Sequence, residues 1–80
     1  MTDDLKKRVR TVVIEYLDVD PNILEDDTSF AATLGLDSLD AMDLLMAVDE
    51  AFSVRIPPKE MDGVDSLAQL VAMLEKHLSA

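Results

Sequence analysis

The sequence predicts an all-helical bundle of three main helices and one short helix, with a long loop after the first helix. Apolar residues recur at helical spacing in three segments of the 80-residue chain, and no segment shows the alternation of a strand. The chain has no cysteine, so its core must form without disulfide bonds or thiolate metal sites. We therefore expect one small domain over residues 1–80, stabilised by its apolar core.

The first helix and the loop after it are indicated by a change of periodicity. Thr2, Asp3 and Asp4 supply a cap and an acidic first turn. The apolar positions of this helix are Leu5, Val9, Val12, Val13, Tyr16 and Leu17. Residues 18–37 then lose the periodicity, and loops of this length are usually functional or packed by their own side chains. The candidates for that packing are Ile23, Leu24, Phe30, Leu34 and Leu36.

The later helices are also bounded by recognisable residues. The second helix is predicted from Ser38 to Phe52, and Pro58 suits the opening of a short helical turn near Lys59 to Asp62. A last helix begins near Ser66, which has capping-box spacing to Gln69. Its buried stripe is expected to comprise Leu67, Leu70, Val71, Leu74 and Leu78.

The charge of the chain limits its partners. Seventeen acidic and seven basic residues give a formal net charge of −10, and no Lys or Arg occurs between Thr11 and Val54. Nucleic acid and anionic membranes are disfavoured because phosphate binding needs basic residues. No apolar run could span a bilayer, and the N-terminus lacks a signal-peptide pattern, so we expect a cytoplasmic protein. We also expect a monomer, because the sequence gives no sign of an obligate oligomer. A basic protein surface is the expected partner, although loop acids could serve solubility alone.

The second helix carries two separate apolar arcs. One arc should face the core and comprises Ala41, Leu44, Leu45, Val48 and Phe52. The other comprises Leu39, Met42 and Met46 and lies beside acidic residues, namely Asp40, Asp43, Asp49 and Glu50. Such a mixture is typical of a docking surface that attracts a basic partner. The alternative is that the long loop covers Met42 and Met46.

Asp37 and Ser38 stand where the loop meets this helix. On position alone Asp37 and Ser38 would be plain helix N-caps, and replacement of Ser38 by Ala would cost about 1 kcal/mol of capping. Alternatively, Ser38 carries a phosphodiester, which would be favoured at the positive end of the helix dipole. Gly35 would give the chain the freedom to present the serine outward.

The segment Leu34-Gly35-Leu36-Asp37-Ser38-Leu39-Asp40 resembles the phosphopantetheine attachment motif of acyl carrier proteins. The resemblance continues through residues 43–50, Phe52 and Ile56-Pro57 to the final helix, and covers nearly the whole chain. It implies a freestanding carrier in which Ser38, flanked by Asp37 and Leu39, holds a 4′-phosphopantetheine arm. A phosphopantetheinyl transferase would transfer this arm from coenzyme A. The arm would hold acyl intermediates as thioesters for enzymes of fatty-acid, lipid or polyketide-type biosynthesis.

The resemblance also implies roles for other residues. Contacts to the transferase and to acyl-transferring or synthase enzymes would be made by Asp37, Leu39, Asp40, Met42, Asp43, Met46, Asp49 and Glu50. The acyl cargo would lie between the helices, against Leu44, Leu45, Val48 and Phe52. Departures from the fatty-acid pattern at Thr33, Ala51, Ser53 and Arg55 leave a specialised pathway open. An aminoacyl or peptidyl carrier, or an unmodified carrier-like interaction module, remains the alternative.

Two other function classes are disfavoured. Asp18, Asp20 and Asn22 have the opening spacing of an EF-hand calcium loop, but Ile23 and Ser29 stand where glycine and glutamate belong. The single histidine, His77, lies near the C-terminus on what should be a solvated helix end, and Ser38 has no obvious base nearby. We therefore expect neither a metal site nor an enzyme.

Overall fold

Three α-helices and two 3₁₀ turns make up the computed structural model of the protein, which describes residues 2–79. Helix α1 spans Thr2–Leu17, α2 spans Ser38–Phe52 and α3 spans Leu67–Ser79, with 3₁₀ turns at Pro21–Ile23 and Pro58–Met61. Residues 2–79 contain no strand, which confirms the predicted all-helical class. The Pro21–Ile23 turn was not predicted. The cap predicted at Thr2 and Asp3 depends on side chains that lie outside those that the structure describes.

The core lies where α1 packs against α2 and α3, while α2 also contacts the Pro58–Met61 turn. The buried apolar residues are Val9, Val13, Leu24, Phe30, Leu44, Leu45, Val48, Ile56, Met61, Leu67, Leu70, Val71, Met73 and Leu74. Each helix contributes one stripe, as its periodicity predicts, and the long loop contributes Leu24 and Phe30, two of the residues expected to pack it. None of the described helices has the length and apolar content that a bilayer crossing requires.

Three apolar residues that the sequence assigned to the packed interior are exposed instead. Tyr16 is 47% exposed, Ile23 48% and Leu78 43%. Tyr16 and Leu78 lie in the last turns of α1 and α3, while Ile23 lies in the exposed Pro21–Ile23 turn. Helical spacing identifies an arc, but a neighbouring element must reach that arc to bury it.

The long loop is fixed to the start of α3 by several hydrogen bonds. The Phe30 amide donates to the Asp65 carbonyl at 2.7 Å, and the Ala68 amide donates to the Asp26 carbonyl at 2.9 Å. The Asp65 carboxylate accepts from the Ser29 hydroxyl and from the Ala31 amide, the latter at 3.0 Å. The loop is therefore a packed part of the fold that leads the chain from α1 to the start of α2.

Side-chain contacts also fix the ends of α3. The Gln69 amide donates to Ser66 Oγ at 3.3 Å, which confirms the predicted cap, while Gln69 Oε1 accepts from the Asp65 amide at 2.7 Å. The expectation that His77 is solvated was wrong. His77 is half-buried, and its Nε2 lies 2.8 Å from a Glu60 carboxylate oxygen of the Pro58–Met61 turn.

Candidate functional site at the start of the second helix

The start of α2 is held by a reciprocal capping box between Asp37 and Asp40. Asp37 Oδ1 accepts from the Asp40 amide at 2.9 Å, and Asp40 Oδ2 accepts from the Asp37 amide at 3.3 Å. Asp37 has the extended backbone of a cap residue, with φ −101° and ψ −172°. The interpretation of Ser38 as the N-cap was therefore wrong, because Asp37 caps the helix and Ser38 is its first residue.

Ser38 presents its hydroxyl to solvent. Its side chain is exposed, and none of the side-chain hydrogen bonds within residues 2–79 involves Ser38 Oγ. The amides of Ser38 and Leu39 belong to the first turn, where no intrahelical acceptor exists, and they point toward the positive end of the helix dipole. Ser38 thus offers an exposed hydroxyl beside two amides that have no intrahelical acceptor.

Gly35 shapes the approach to Ser38. Its φ is +70°, a left-handed value that residues with a Cβ rarely adopt, and no atom lies within 4 Å of the position that a Cβ would take. The need for glycine here is therefore conformational rather than steric. The next residue, Leu36, donates its amide to the Phe30 carbonyl at 3.0 Å. This turn directs the chain outward into α2.

The outer face of α2 exposes the second apolar arc predicted from the helical wheel. Leu39 is 74% exposed, Met46 66% and Met42 37%, whereas Leu44, Leu45 and Val48 on the opposite side are at most 2% exposed. The long loop does not cover Met42 and Met46, so that alternative was wrong. A helix face with three large exposed apolar residues resembles an interaction surface.

The acidic residues on this face differ in their environments. Asp40, Asp43 and Glu50 are exposed, while Asp49 is half-buried and its Oδ1 accepts from the Ile56 amide at 3.3 Å. In the described part of the chain the ion pairs join Lys6 to Asp26 and His77 to Glu60, so none involves α2. Asp43 and Glu50 therefore lie open to an external cation, and Asp49 is also a structural residue.

Comparison with known proteins supports the resemblance that the motif carries. A family profile described as "Phosphopantetheine attachment site" matches residues 7–74. A relative from Phenylobacterium zucineum, called acyl carrier protein, is 38% identical over 77 residues, which cover 96% of this chain and 98% of the relative. The chain belongs to the acyl carrier protein family.

Other members of the acyl carrier protein family align almost as completely. The acyl carrier protein of Akkermansia muciniphila is 35% identical over 95% of this chain and 96% of its own length. That of Guillardia theta is 35% identical over 96% of this chain and 95% of its own length. Acyl carrier proteins are carriers and not catalysts, and they hold a covalently attached 4′-phosphopantetheine.

The start of α2 suits the group that acyl carrier proteins hold. A phosphodiester needs an accessible hydroxyl, which Ser38 offers. The amides of Ser38 and Leu39 at the helix N-terminus would stabilise such a group. The negative charges of Asp37 and Asp40 would repel the phosphodiester. Both carboxylates, however, accept backbone N–H groups in the capping box. A covalent bond also removes the need for net electrostatic attraction.

The residues expected to line an acyl cargo lie in or beside the core. Leu44, Leu45 and Val48 are fully buried, and Phe52 is half-buried beneath the Arg8 guanidinium, which lies 4.7 Å from the ring centroid. Protein cores are close-packed. A chain placed among these residues would have to displace packed side chains.

A surface groove between α1 and α2 was not predicted from the sequence. The groove has a volume of about 450 Å³ and is lined by Tyr16, Asp43, Met46, Ala47, Glu50 and Ala51. The available signal was the pair of small residues Ala47 and Ala51, one turn apart on α2 beside the two acids. We refer to these six residues as the Tyr16 groove.

The residues considered for calcium binding serve the backbone of the loop. Asp20 Oδ1 accepts from the Asn22 amide at 2.9 Å and caps the Pro21–Ile23 turn. Asp18 has a positive φ of 54° at the end of α1. No group of three or more potential metal ligands occurs among residues 2–79. The Asp20 carboxylate is accounted for by the turn that it caps.

Proposed function

We propose that Ser38 is the residue that carries 4′-phosphopantetheine, and that the arm holds acyl intermediates as thioesters. The observation that carries this proposal is the exposed Ser38 hydroxyl at the first position of α2, with the capping role taken by Asp37. Capping was the alternative role for an unmodified Ser38. Because Asp37 caps the helix, that role does not account for the serine. The other expected flanking residue, Leu39, is 74% exposed and lies beside it.

Attachment would proceed by phosphoryl transfer from coenzyme A. Ser38 Oγ would lose its proton to a base and form a new P–O bond, while the bond to the nucleotide half of coenzyme A breaks and the nucleotide leaves with the electron pair. No described side chain hydrogen-bonds to Ser38 Oγ, so the transferase would supply the base. When bound, the arm supplies the thiol that this cysteine-free chain lacks.

The exposed face of α2 is the proposed docking surface for partner enzymes. It comprises Asp37, Leu39, Asp40, Met42, Asp43, Met46, Asp49 and Glu50. Exposed acids would steer a basic partner and exposed Leu and Met side chains would fill its apolar pockets. The partners would be the transferase and enzymes of fatty-acid, lipid or polyketide-type biosynthesis. A single domain over residues 1–80, a cytoplasmic location and a monomeric state stay predictions.

Intact mass after incubation with coenzyme A and a broad-specificity phosphopantetheinyl transferase tests the proposal. The parent chain should gain one phosphopantetheine, and Ser38→Ala should gain none. Ser53→Gly is the matched control, because it removes an exposed serine at the other end of α2, where φ is +55° and glycine is tolerated. This control should be modified as the parent is.

Two results would contradict the assignment. Modification of Ser38→Ala would place the arm elsewhere, and tryptic mapping would locate it. A folded parent that two different transferases both leave unmodified would exclude a carrier role, with helical circular dichroism confirming that the chain was folded.

A further inference from the structure

The described methionines differ widely in exposure. Met46 is 66% exposed and Met42 37%, whereas Met61 and Met73 are 7% exposed and belong to the core. Met1 lies outside the described residues. A thioether has no ionised form that could activate it, so access of the oxidant to the sulfur decides which methionine is oxidised first. Met46 is therefore the described methionine that a small oxidant reaches most easily.

Met46 can be approached from two sides. It lines the Tyr16 groove and also a second depression of about 290 Å³, which it shares with Asp49, Glu50, Val54 and Arg55. Both spaces admit a small peroxide, because a water molecule takes up only about 30 Å³. The carboxylates of Asp43 and Glu50 repel anionic oxidants such as superoxide, whereas hydrogen peroxide is uncharged at neutral pH. The surroundings of Met46 therefore favour an uncharged peroxide.

No thiol of the chain competes with Met46 for a peroxide. The sequence contains no cysteine, so before the arm is attached every sulfur atom belongs to a methionine. Once acyl cargo is loaded, the proposed arm holds its sulfur as a thioester, which is no longer a free thiol. In both states Met46 offers the most accessible thioether of the described chain.

We propose that Met46 is a site of reversible oxidation, at which hydrogen peroxide converts the thioether into a sulfoxide. The sulfur lone pair forms a bond to one peroxide oxygen while the O–O bond breaks. Sulfur loses two electrons and the peroxide is reduced. The proton of the transferred hydroxyl passes to the departing hydroxide, which leaves as water. Methionine sulfoxide reductases reverse this change.

Oxidation of Met46 changes the surface of the protein and leaves its core intact. The side chain lies on the exposed apolar arc with Leu39 and Met42, and a sulfoxide makes that part of the arc polar. An enzyme that binds the arc through apolar contacts then binds less tightly. The oxidation itself does not depend on the proposed function, but this effect on enzymes rests on it.

Treatment of the parent chain, without its arm, with a graded series of hydrogen peroxide concentrations tests the site. Cleavage before aspartate places Met42 and Met46 in different peptides, because Asp43 stands between them, and mass spectrometry then gives the oxidation rate of each. We expect Met46 to be oxidised first, and at least about tenfold faster than Met61 and Met73. In urea, which opens the core, Met61 and Met73 should react as fast as Met46. A folded chain in which Met46 reacts no faster than the buried methionines would contradict the site.

Steady-state kinetics of arm transfer to Ser38 test the effect on enzymes, and each protein is compared with its own untreated form. At the peroxide dose that oxidises Met46, the KM of the parent should rise about three- to tenfold with kcat unchanged, because apolar contact is lost. Met46→Leu has no sulfur at this position, so its treated and untreated KM values should agree. Met73→Leu, a substitution of similar volume in the core, should respond to peroxide as the parent does. Methionine sulfoxide reductases for both epimers should restore the KM of the treated parent.

The outcomes separate this inference from the proposed function. Transfer of the arm to Ser38 with the same KM before and after oxidation of Met46 overturns the effect on enzymes and leaves the carrier assignment intact. A rise in KM that persists in Met46→Leu, or that the reductases do not reverse, overturns it as well. A folded, untreated parent that two transferases leave without an arm overturns the proposed function, while the oxidation rates still decide whether Met46 is the reactive site.

Discussion

The Ser29 hydroxyl donates to the Asp65 carboxylate and joins the long loop to the residues just before α3. The same carboxylate accepts from the Ala31 amide, and the Asp65 carbonyl accepts from the Phe30 amide. These donors, the Ser29 hydroxyl first, lower the pKa of Asp65 below its ordinary value, because they stabilise the charged form. Asp65 therefore orders three consecutive loop residues, two through its carboxylate and Phe30 through its backbone carbonyl.

The Asp65 contacts predict a pH-dependent contribution to stability. Because the pKa of Asp65 is lower in the folded state, the contribution is present at neutral pH and declines below about pH 4, as the carboxylate takes up its proton. Asp65→Asn should lower the urea midpoint at pH 7, and its difference from the parent should narrow toward pH 2. Asp62→Asn removes the same charge from an exposed residue and should show a smaller effect at pH 7. Parallel pH profiles for Asp65→Asn and the parent would contradict the prediction.

The capping box predicts that Asp37, rather than Ser38, stabilises the start of α2. Asp37→Ala should cost about 1 kcal/mol of unfolding free energy, because the Asp40 amide loses its acceptor. Ser38→Ala should cost less than about 0.5 kcal/mol, and Asp37→Asn, which can still cap, should lie between the two. Urea denaturation followed by circular dichroism measures all three, and a larger cost for Ser38→Ala would contradict the assigned cap.

Truncation of a leucine should affect different properties on the two apolar arcs of α2: stability on the core arc and the KM for modification on the exposed arc. Leu44→Ala removes a fully buried side chain and should cost about 2–4 kcal/mol of unfolding free energy. Leu39→Ala, at a side chain that is 74% exposed, should change stability by less than about 0.5 kcal/mol. Only Leu39→Ala should raise the KM for modification while the protein stays fully folded. Equal KM values for Leu39→Ala and the parent would remove Leu39 from the docking surface.

The acidic face predicts a salt-dependent association with basic partners. Asp43→Lys should lower kcat/KM for modification about three- to tenfold at low salt, and the difference should shrink as salt screens the charges. Asp27→Lys makes the same charge change at an exposed loop residue and should have a smaller effect. Equal effects of the two substitutions at every salt concentration would show that net charge, rather than the α2 face, governs association.

Local sequence signals predicted the parts of the fold that local interactions determine. The bounds of α2 match the prediction because Asp37 caps its start and Ser53, with a φ of +55°, ends it before Pro57 and Pro58. The helical wheel separated Leu39, Met42 and Met46 from the core arc because the position of a residue around a helix follows from its spacing along the chain. The resemblance of residues 34–40 to the attachment motif predicted the acyl carrier protein family, and the comparisons confirm that family.

Tertiary relationships account for the errors. Whether Tyr16, Ile23 or Leu78 is buried depends on which element lies opposite, and spacing within one helix does not contain that information. The Ser29–Asp65 contact joins residues 36 positions apart, so no local pattern reveals it. The Tyr16 groove likewise needs two helices to bring an aromatic wall from α1 against Ala47 and Ala51 of α2.

The bonds between the long loop and the start of α3 have a kinetic consequence for the chain that leads into the Ser38 site. The Phe30 amide is held by Asp65 and the Ala68 amide by Asp26, so each segment protects an amide proton of the other. Releasing the loop would therefore expose both protons at once, and the two should exchange with deuterium at matching rates. The segment that leads into Ser38 would open as one cooperative unit with the first turn of α3.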